Sequence, residues 1–188
     1  MGNFIKTCGK VLSRIWGREP EPVWREDESF MDLFQSTEDK ILVSIDRAFI
    51  IYQLARALSE KPGDYAEVGV YRGGTARILG RTAPRKALHL FDTFRGMPAV
   101  NDDIDRHRES DFSGCSLSAV RRFLHDCPNV IFHPGFFPET AGELKNKEFS
   151  LVHIDVDILQ SVRDSLDFFY PRLVPGGVMI IDDYGWKK

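Results

Sequence analysis

No apolar run in this 188-residue chain approaches the ~20 residues that a helix needs to cross a bilayer. Cysteine is scarce. Cys8, Cys115 and Cys127 are odd in number and lack CxxC spacing, which argues against a disulfide framework or a zinc site and fits a reducing cytoplasm. Charge of either sign is nearly balanced: a net charge of -3 and a pI near 6.0 give no global attraction to nucleic acid or anionic lipid. Internal repeats and low-complexity tracts are missing, and Lys6 stands where an N-terminal acylation signal requires Ser or Thr. What is present is the 43% hydrophobic content of an ordinary globular core.

Phe4, Ile5, Val11, Leu12, Ile15 and Trp16, set among Lys and Arg, form a short basic amphipathic stretch. It suits a helix packed on its own domain, or one touching a partner or membrane surface. The proline-rich, charged residues 17–24 then read as a linker, so residues 1–36 are expected as an N-terminal segment and residues 37–188 as the main domain. A helical pattern runs from Thr37 to Leu58, and strand and helix patterns alternate after it. Strands are predicted over 66–70, 87–91, 129–133, 149–155 and 177–182, with helices over 75–81, 117–125 and 161–170. Such alternation predicts an α/β fold: a doubly wound, Rossmann-like parallel sheet of about five strands with an N-terminal helical region. The charged, aperiodic stretch 95–114 is too long for an ordinary connection and suits an active-site lid or a disordered segment.

Two of the predicted strands end in paired aspartates: Asp155 and Asp157 after one, Asp182 and Asp183 after the next. In an open parallel sheet the carboxyl ends of the strands form the binding crevice. Carboxylates gathered there repel one another, so the cluster calls for a cation, most simply an oxygen-ligated divalent metal. Helix capping is the competing explanation, and it accounts for one Asp per strand end more easily than for two.

Between the first strand and its helix lies the turn 67–75 (EVGVYRGGT). Gly69 permits a tight turn, and Gly73 with Gly74 lets a ligand approach the helix N-terminus. Glu67 replaces the first glycine of a dinucleotide fingerprint; its charge would repel a pyrophosphate and suits a cationic ligand such as S-adenosylmethionine. A glycine turn with no ligand is the plainer alternative. Asp92, ending the second strand, can accept ribose hydroxyls. Residues 133–138 (HPGFFP) offer an aromatic wall for a base, although Phe136 and Phe137 suit core packing equally.

With these motifs in hand, the chain resembles the TylF/MycF (macrocin O-methyltransferase) family of class I S-adenosylmethionine-dependent methyltransferases. The resemblance rests on residues 46–49 (DRAF), 63–74 (GDYAEVGVYRGG), 91–98 (FDTFRGMP), 133–138, 152–157 (VHIDVD), 170–177 (YPRLVPGG) and 182–185 (DDYG). It implies a methyltransferase-like domain binding S-adenosylmethionine through Glu67, Gly69, Tyr71, Gly73, Thr75, Asp92, Thr93, Phe94, Gly135 and Phe136. It implies a divalent metal, usually Mg2+, on Asp155, Asp182 and Asp183, with Asp157 as general base toward a hydroxyl of a sugar or related small natural product.

A metal that lowers the hydroxyl pKa, and a carboxylate that takes its proton, suit that chemistry. Family members generally continue into a further helix and two strands, whereas this sequence ends at Lys188. The last strand is therefore expected as an open hydrophobic edge, paired by another chain or by the N-terminal segment. A homo-oligomer and a truncated, non-catalytic homologue that binds a nucleoside or a protein partner are both compatible with that edge. A nicotinamide-dependent Rossmann enzyme is the third reading, opposed by Glu67.

Overall fold

The computed structural model describes residues 22–96, 114–182 and 184. The expected amphipathic helix 4–16, most of the loop 95–114, and Asp183 lie outside the described residues. Five strands, β1 (Asp64–Val68), β2 (Leu88–Asp92), β3 (Val130–Pro134), β4 (Phe149–Ile154) and β5 (Leu173–Ile181), form one sheet in the order β3-β2-β1-β4-β5. Every pairing is parallel. The helices are α1 (Glu28–Gln35), α2 (Ile45–Leu58), α3 (Gly74–Thr82), α4 (Leu117–Phe123) and α5 (Leu159–Phe169). The doubly wound parallel sheet expected from the alternation is thus the observed architecture.

Strand alternation sorts the core into two layers. Tyr65, Leu88, Leu90 and Leu151 face α2, α3 and α4 through Ile51, Ala55, Leu79, Val120 and Leu124. Ala66, Val68, Phe91, Val152 and Ile154 face Phe169 of α5 and Phe137 and Leu144 beyond β3. β4 is buried at all six positions, which is why it reads as a continuous apolar run.

The N-terminal helical region differs from the single helix predicted over 37–58. It consists of α1, a 3-10 turn at Glu38–Lys40, an extended stretch and then α2. Packing imposes the break. Gly74, at the start of α3, lies so close to this segment that a Cβ there would sit 2.6 Å from Ile41 Cβ and 2.6 Å from the Lys40 carbonyl oxygen. A continuous helix would not follow that path. α1 itself lies just past the linker read over 17–24, within the N-terminal segment 1–36, where no helix is predicted between 25 and 36. Asp27 caps it by accepting the Phe30 N–H at 3.0 Å. Phe30, fully buried, meets Phe49 and Tyr52 of α2 with ring centroids 4.9 and 5.3 Å apart. Burying that one ring stabilises by roughly 2–3 kcal/mol.

Candidate active site

Strand order reverses between β1 and β4, and the carboxyl ends of the strands open onto a cavity of about 300 Å3 there. Its floor is a terrace of backbone hydrogen bonds. The first residue beyond β1, β3, β4 and β5 donates its N–H to a neighbouring strand end: Gly69 to Phe91 O, Gly135 to Asp92 O, Asp155 to Val68 O and Asp182 to Ile154 O, each at 2.9 Å. Two glycines and two aspartates therefore stand side by side. Gly69 is required by its φ of +87° and by contact: a Cβ would lie 1.8 Å from the Asp155 carbonyl oxygen.

Gly69, Tyr71, Thr75, Asp92, Thr93, Gly135 and Phe136 line the cavity, as do Asp155, Asp157 and Asp182. Asp92 holds the glycine loop in shape. Its Oδ2 accepts the N–H groups of Val70 and Tyr71 at 2.8 and 2.9 Å, and its Oδ1 accepts that of Phe94 at 2.7 Å. A carboxylate offers about four acceptor positions, so this loop uses most of the capacity expected to serve a ribose. Phe136 and Phe137 both border the cavity but differ in burial. Phe136 is 37% exposed at the cavity wall, while Phe137 packs in the core against Phe91 and Phe169.

Three of the expected cofactor residues do not line the cavity: Glu67, Gly73 and Phe94. Gly73 caps α3 in a left-handed conformation, and Phe94 is buried against Phe132. Glu67 lies beneath the floor, fully buried, with Oε1 3.0 Å from Nδ1 of the equally buried His153. The β1–β4 register places these two residues directly opposite each other. Burial raises the Glu67 carboxyl above its ordinary range. Burial works to lower His153, but its hydrogen bond to Glu67 and that carboxylate's charge outweigh it, and the imidazole is raised as well. Both groups of the pair therefore give up a proton less readily than they would in water. His153 was not among the predicted site residues; a polar group in an apolar strand, opposite another in the neighbouring strand, is the signal that identifies it.

Above this pair, Asp155 is pushed up to about 7, first by burial and then by the negative charges of Asp182, Asp157 and Glu67, with His153 opposing. Across the cavity, Arg47 of α2 reaches Asp182: Nη1 lies 2.5 Å from Oδ2, with the Asp182 side chain 8% exposed. Arg47 is a second site residue that was not singled out, although it belongs to the 46–49 motif. Oxygen-only donors suit a hard cation such as Mg2+ or Mn2+, and the crowding that lifts Asp155 is what such an ion relieves. Among the described residues no three acidic, His or Cys groups close around a metal point, and Asp183 falls outside them.

A five-stranded parallel sheet with a glycine turn and an acidic crevice at its switch point is a Rossmann-like methyltransferase fold. The profile of the macrocin-O-methyltransferase (TylF) family matches residues 52–188, and the chain belongs to that family. It is 36% identical over 143 residues to 8-demethyl-8-(2,3-dimethoxy-alpha-L-rhamnosyl)-tetracenomycin-C 4'-O-methyltransferase of Streptomyces olivaceus, covering 65% of this chain and 53% of that one. To mycinamicin III 3''-O-methyltransferase of Micromonospora griseorubida it is 33% identical over 144 residues, covering 65% and 56%. The solved structure of the O-methyltransferase NovP superposes with a TM-score of 0.65 at 31% identity, covering 77% of this chain and 67% of that one. The chain spans about half the length of the curated relatives it matches.

Proposed function

We propose that this chain carries the catalytic crevice of an S-adenosylmethionine-dependent, divalent-metal-dependent O-methyltransferase acting on a hydroxyl of a sugar or related small natural product. The observation that carries the reading is the meeting of Asp155, Asp157 and Asp182 in one cavity with a glycine loop clamped by Asp92. The relatives' names point the same way: both are O-methyltransferases, and the first is named for a rhamnosyl-bearing tetracenomycin.

The cofactor, when bound, supplies a methyl group made electrophilic by a sulfonium. The residues that would hold it are the Gly69–Tyr71 backbone, Asp92, Thr93, Gly135 and the exposed face of Phe136. Asp155 and Asp182, with Asp183 as the expected third ligand, would hold the divalent ion, which supplies positive charge that acidifies an acceptor hydroxyl. Asp157 collects the hydroxyl proton as the C–O bond forms and the C–S bond breaks. Its position is fixed by a left-handed backbone with φ of +58°. The apolar wall of Val43, Val68, Val156 and Ile158 limits water around the reacting atoms.

The test is transfer of a labelled methyl group from S-adenosylmethionine to a panel of glycosides and catechols, with and without EDTA. Transfer that stops on chelation and returns with Mg2+ supports the proposal. Transfer that survives chelation rules out the metal role. Cofactor binding with no transfer to any acceptor would support the non-catalytic homologue instead.

A further inference from the structure

Arg47 joins two elements that are far apart in sequence. Its guanidinium is carried by the first turn of α2 across the mouth of the cavity to a carboxylate at the far end of β5, 135 residues away in sequence. Both side chains line the cavity, and the distance of 2.5 Å to an Asp182 that is only 8% exposed makes this a charge-assisted contact in a partly desolvated place. The same cavity holds Asp155 and Asp157.

We infer that Arg47 is a resident counter-cation of the aspartate cluster that competes with the divalent ion for Asp182. The guanidinium neutralises Asp182 when no metal is bound and yields Oδ2 when one enters. This inference rests on the metal reading of the site given above. Two physical facts carry it. Oδ2 serves the arginine at hydrogen-bond distance, so a metal bonding that oxygen must displace or share it. A fixed positive charge within a few ångströms of a divalent ion is repulsive, all the more in a partly buried site. Arg47 is accordingly a positioning residue: it holds the Asp182 side chain in the cavity, and it lowers the affinity of the site for metal. A site tuned in this way would take up its metal more readily once an acceptor offers the guanidinium another oxygen to bond.

The experiment is Mn2+ binding to the whole chain, read by the proton relaxation of water or by electron paramagnetic resonance, with no methyl donor or acceptor present. Arg47→Met removes the charge and keeps most of the stem. It is expected to bind Mn2+ at least ~10-fold more tightly than the wild type. Arg47→Lys, which retains a charge, is expected to stay within ~3-fold of it. Thermal unfolding supplies a second readout: the metal-free Met variant melts lower than the wild type, and saturating Mn2+ raises its melting temperature by the larger increment. Equal or weaker Mn2+ binding by Arg47→Met, with the wild type binding normally, overturns the competition while leaving the metal site standing. Absence of Mn2+ binding by both proteins overturns the metal reading, and the competition with it.

Discussion

Tyr71, Phe94 and Asp157 have positive φ values of 52°, 52° and 58°, and each lies just beyond the carboxyl end of a strand bordering the crevice. A left-handed conformation costs a non-glycine residue roughly 1 kcal/mol, least for Asp and Asn. Strain gathered at three strand ends in the same crevice is the pattern of a functional site, where backbone is bent to aim side chains. Asp157 is the sharpest case, and the two contributions of its side chain are separable. Asp157→Asn keeps a residue at ease in this conformation and is expected to leave stability within about 0.5 kcal/mol while transfer falls at least ~100-fold. Asp157→Ala is expected to lose transfer equally and about 1 kcal/mol of stability besides. Urea denaturation beside initial rates makes the comparison. Equal stability of the two variants would remove the backbone argument.

A second residue-scale prediction concerns acid. On the back of the sheet, His89 Nε2 donates to Asp64 Oδ2 at 3.2 Å, so its Nδ1 is left to accept the Nε2–H of His133 at 2.9 Å. Burial lowers His89; Lys147 acts in the same direction, and Asp64 opposes. Burial also lowers His133, helped by His89 and opposed by Glu143. Both imidazoles thus take up protons less readily folded than unfolded, where 6.5 is the ordinary value. The stability they contribute is complete above about 6.5 and is lost as pH falls through their lowered folded values. His133→Phe keeps the stack on Phe91, whose rings lie 4.5 Å apart, and removes one titrating group. The fall in unfolding free energy between pH 7 and 5 should be shallower in the variant; an unchanged slope would refute the linkage.

At the scale of elements, the five strands were legible because buried parallel strands write themselves as short β-branched and aromatic runs ended by Asp or Gly. The N-terminal helices were less so. Residues 37–58 have helical periodicity throughout, yet the segment breaks at 41–44 because α3 begins with a glycine against it. That contact joins elements distant in sequence, and no local pattern reports it. α1 did leave a local signal, Asp27 before an acidic first turn with Phe30 and Phe34 one turn apart, masked by the prolines preceding it.

The site divides in the same way. Its aspartates and glycine turn follow directly from strand ends, whereas the Glu67–His153 and Arg47–Asp182 pairs depend on register and helix placement. The glycine contact is testable. Gly74→Ala would force Ile41 and the Lys40 carbonyl away by several tenths of an ångström at least, and is expected to cost ~2–3 kcal/mol by thermal denaturation. A loss below ~0.5 kcal/mol would mean that the segment shifts freely.

Across the whole molecule, the switch point separates two working halves that share one floor. On the β1–β2–β3 side, Asp92 orders the backbone that would meet the nucleoside; on the β4–β5 side, Asp155, Asp157 and Asp182 gather the negative charge. The halves touch along the β1–β4 pairing: Gly69 lies against the Asp155 carbonyl, Val68 O accepts the Asp155 N–H, and the Glu67–His153 pair spans the seam beneath the floor. Ligand affinities should therefore separate by half. Asp92→Asn keeps the size of the side chain but replaces one acceptor oxygen with a donor facing N–H groups. It should weaken S-adenosylhomocysteine binding by ~10-fold or more and leave Mn2+ affinity within ~2-fold. Asp182→Asn should do the reverse. Calorimetric titration of both ligands against both variants yields four constants. If Asp92→Asn weakened Mn2+ as much as it weakened the nucleoside, the halves would be one coupled unit. The floor would then have to transmit a change from the glycine loop to the aspartates, through the Gly69–Asp155 backbone contact or the Glu67–His153 pair below it.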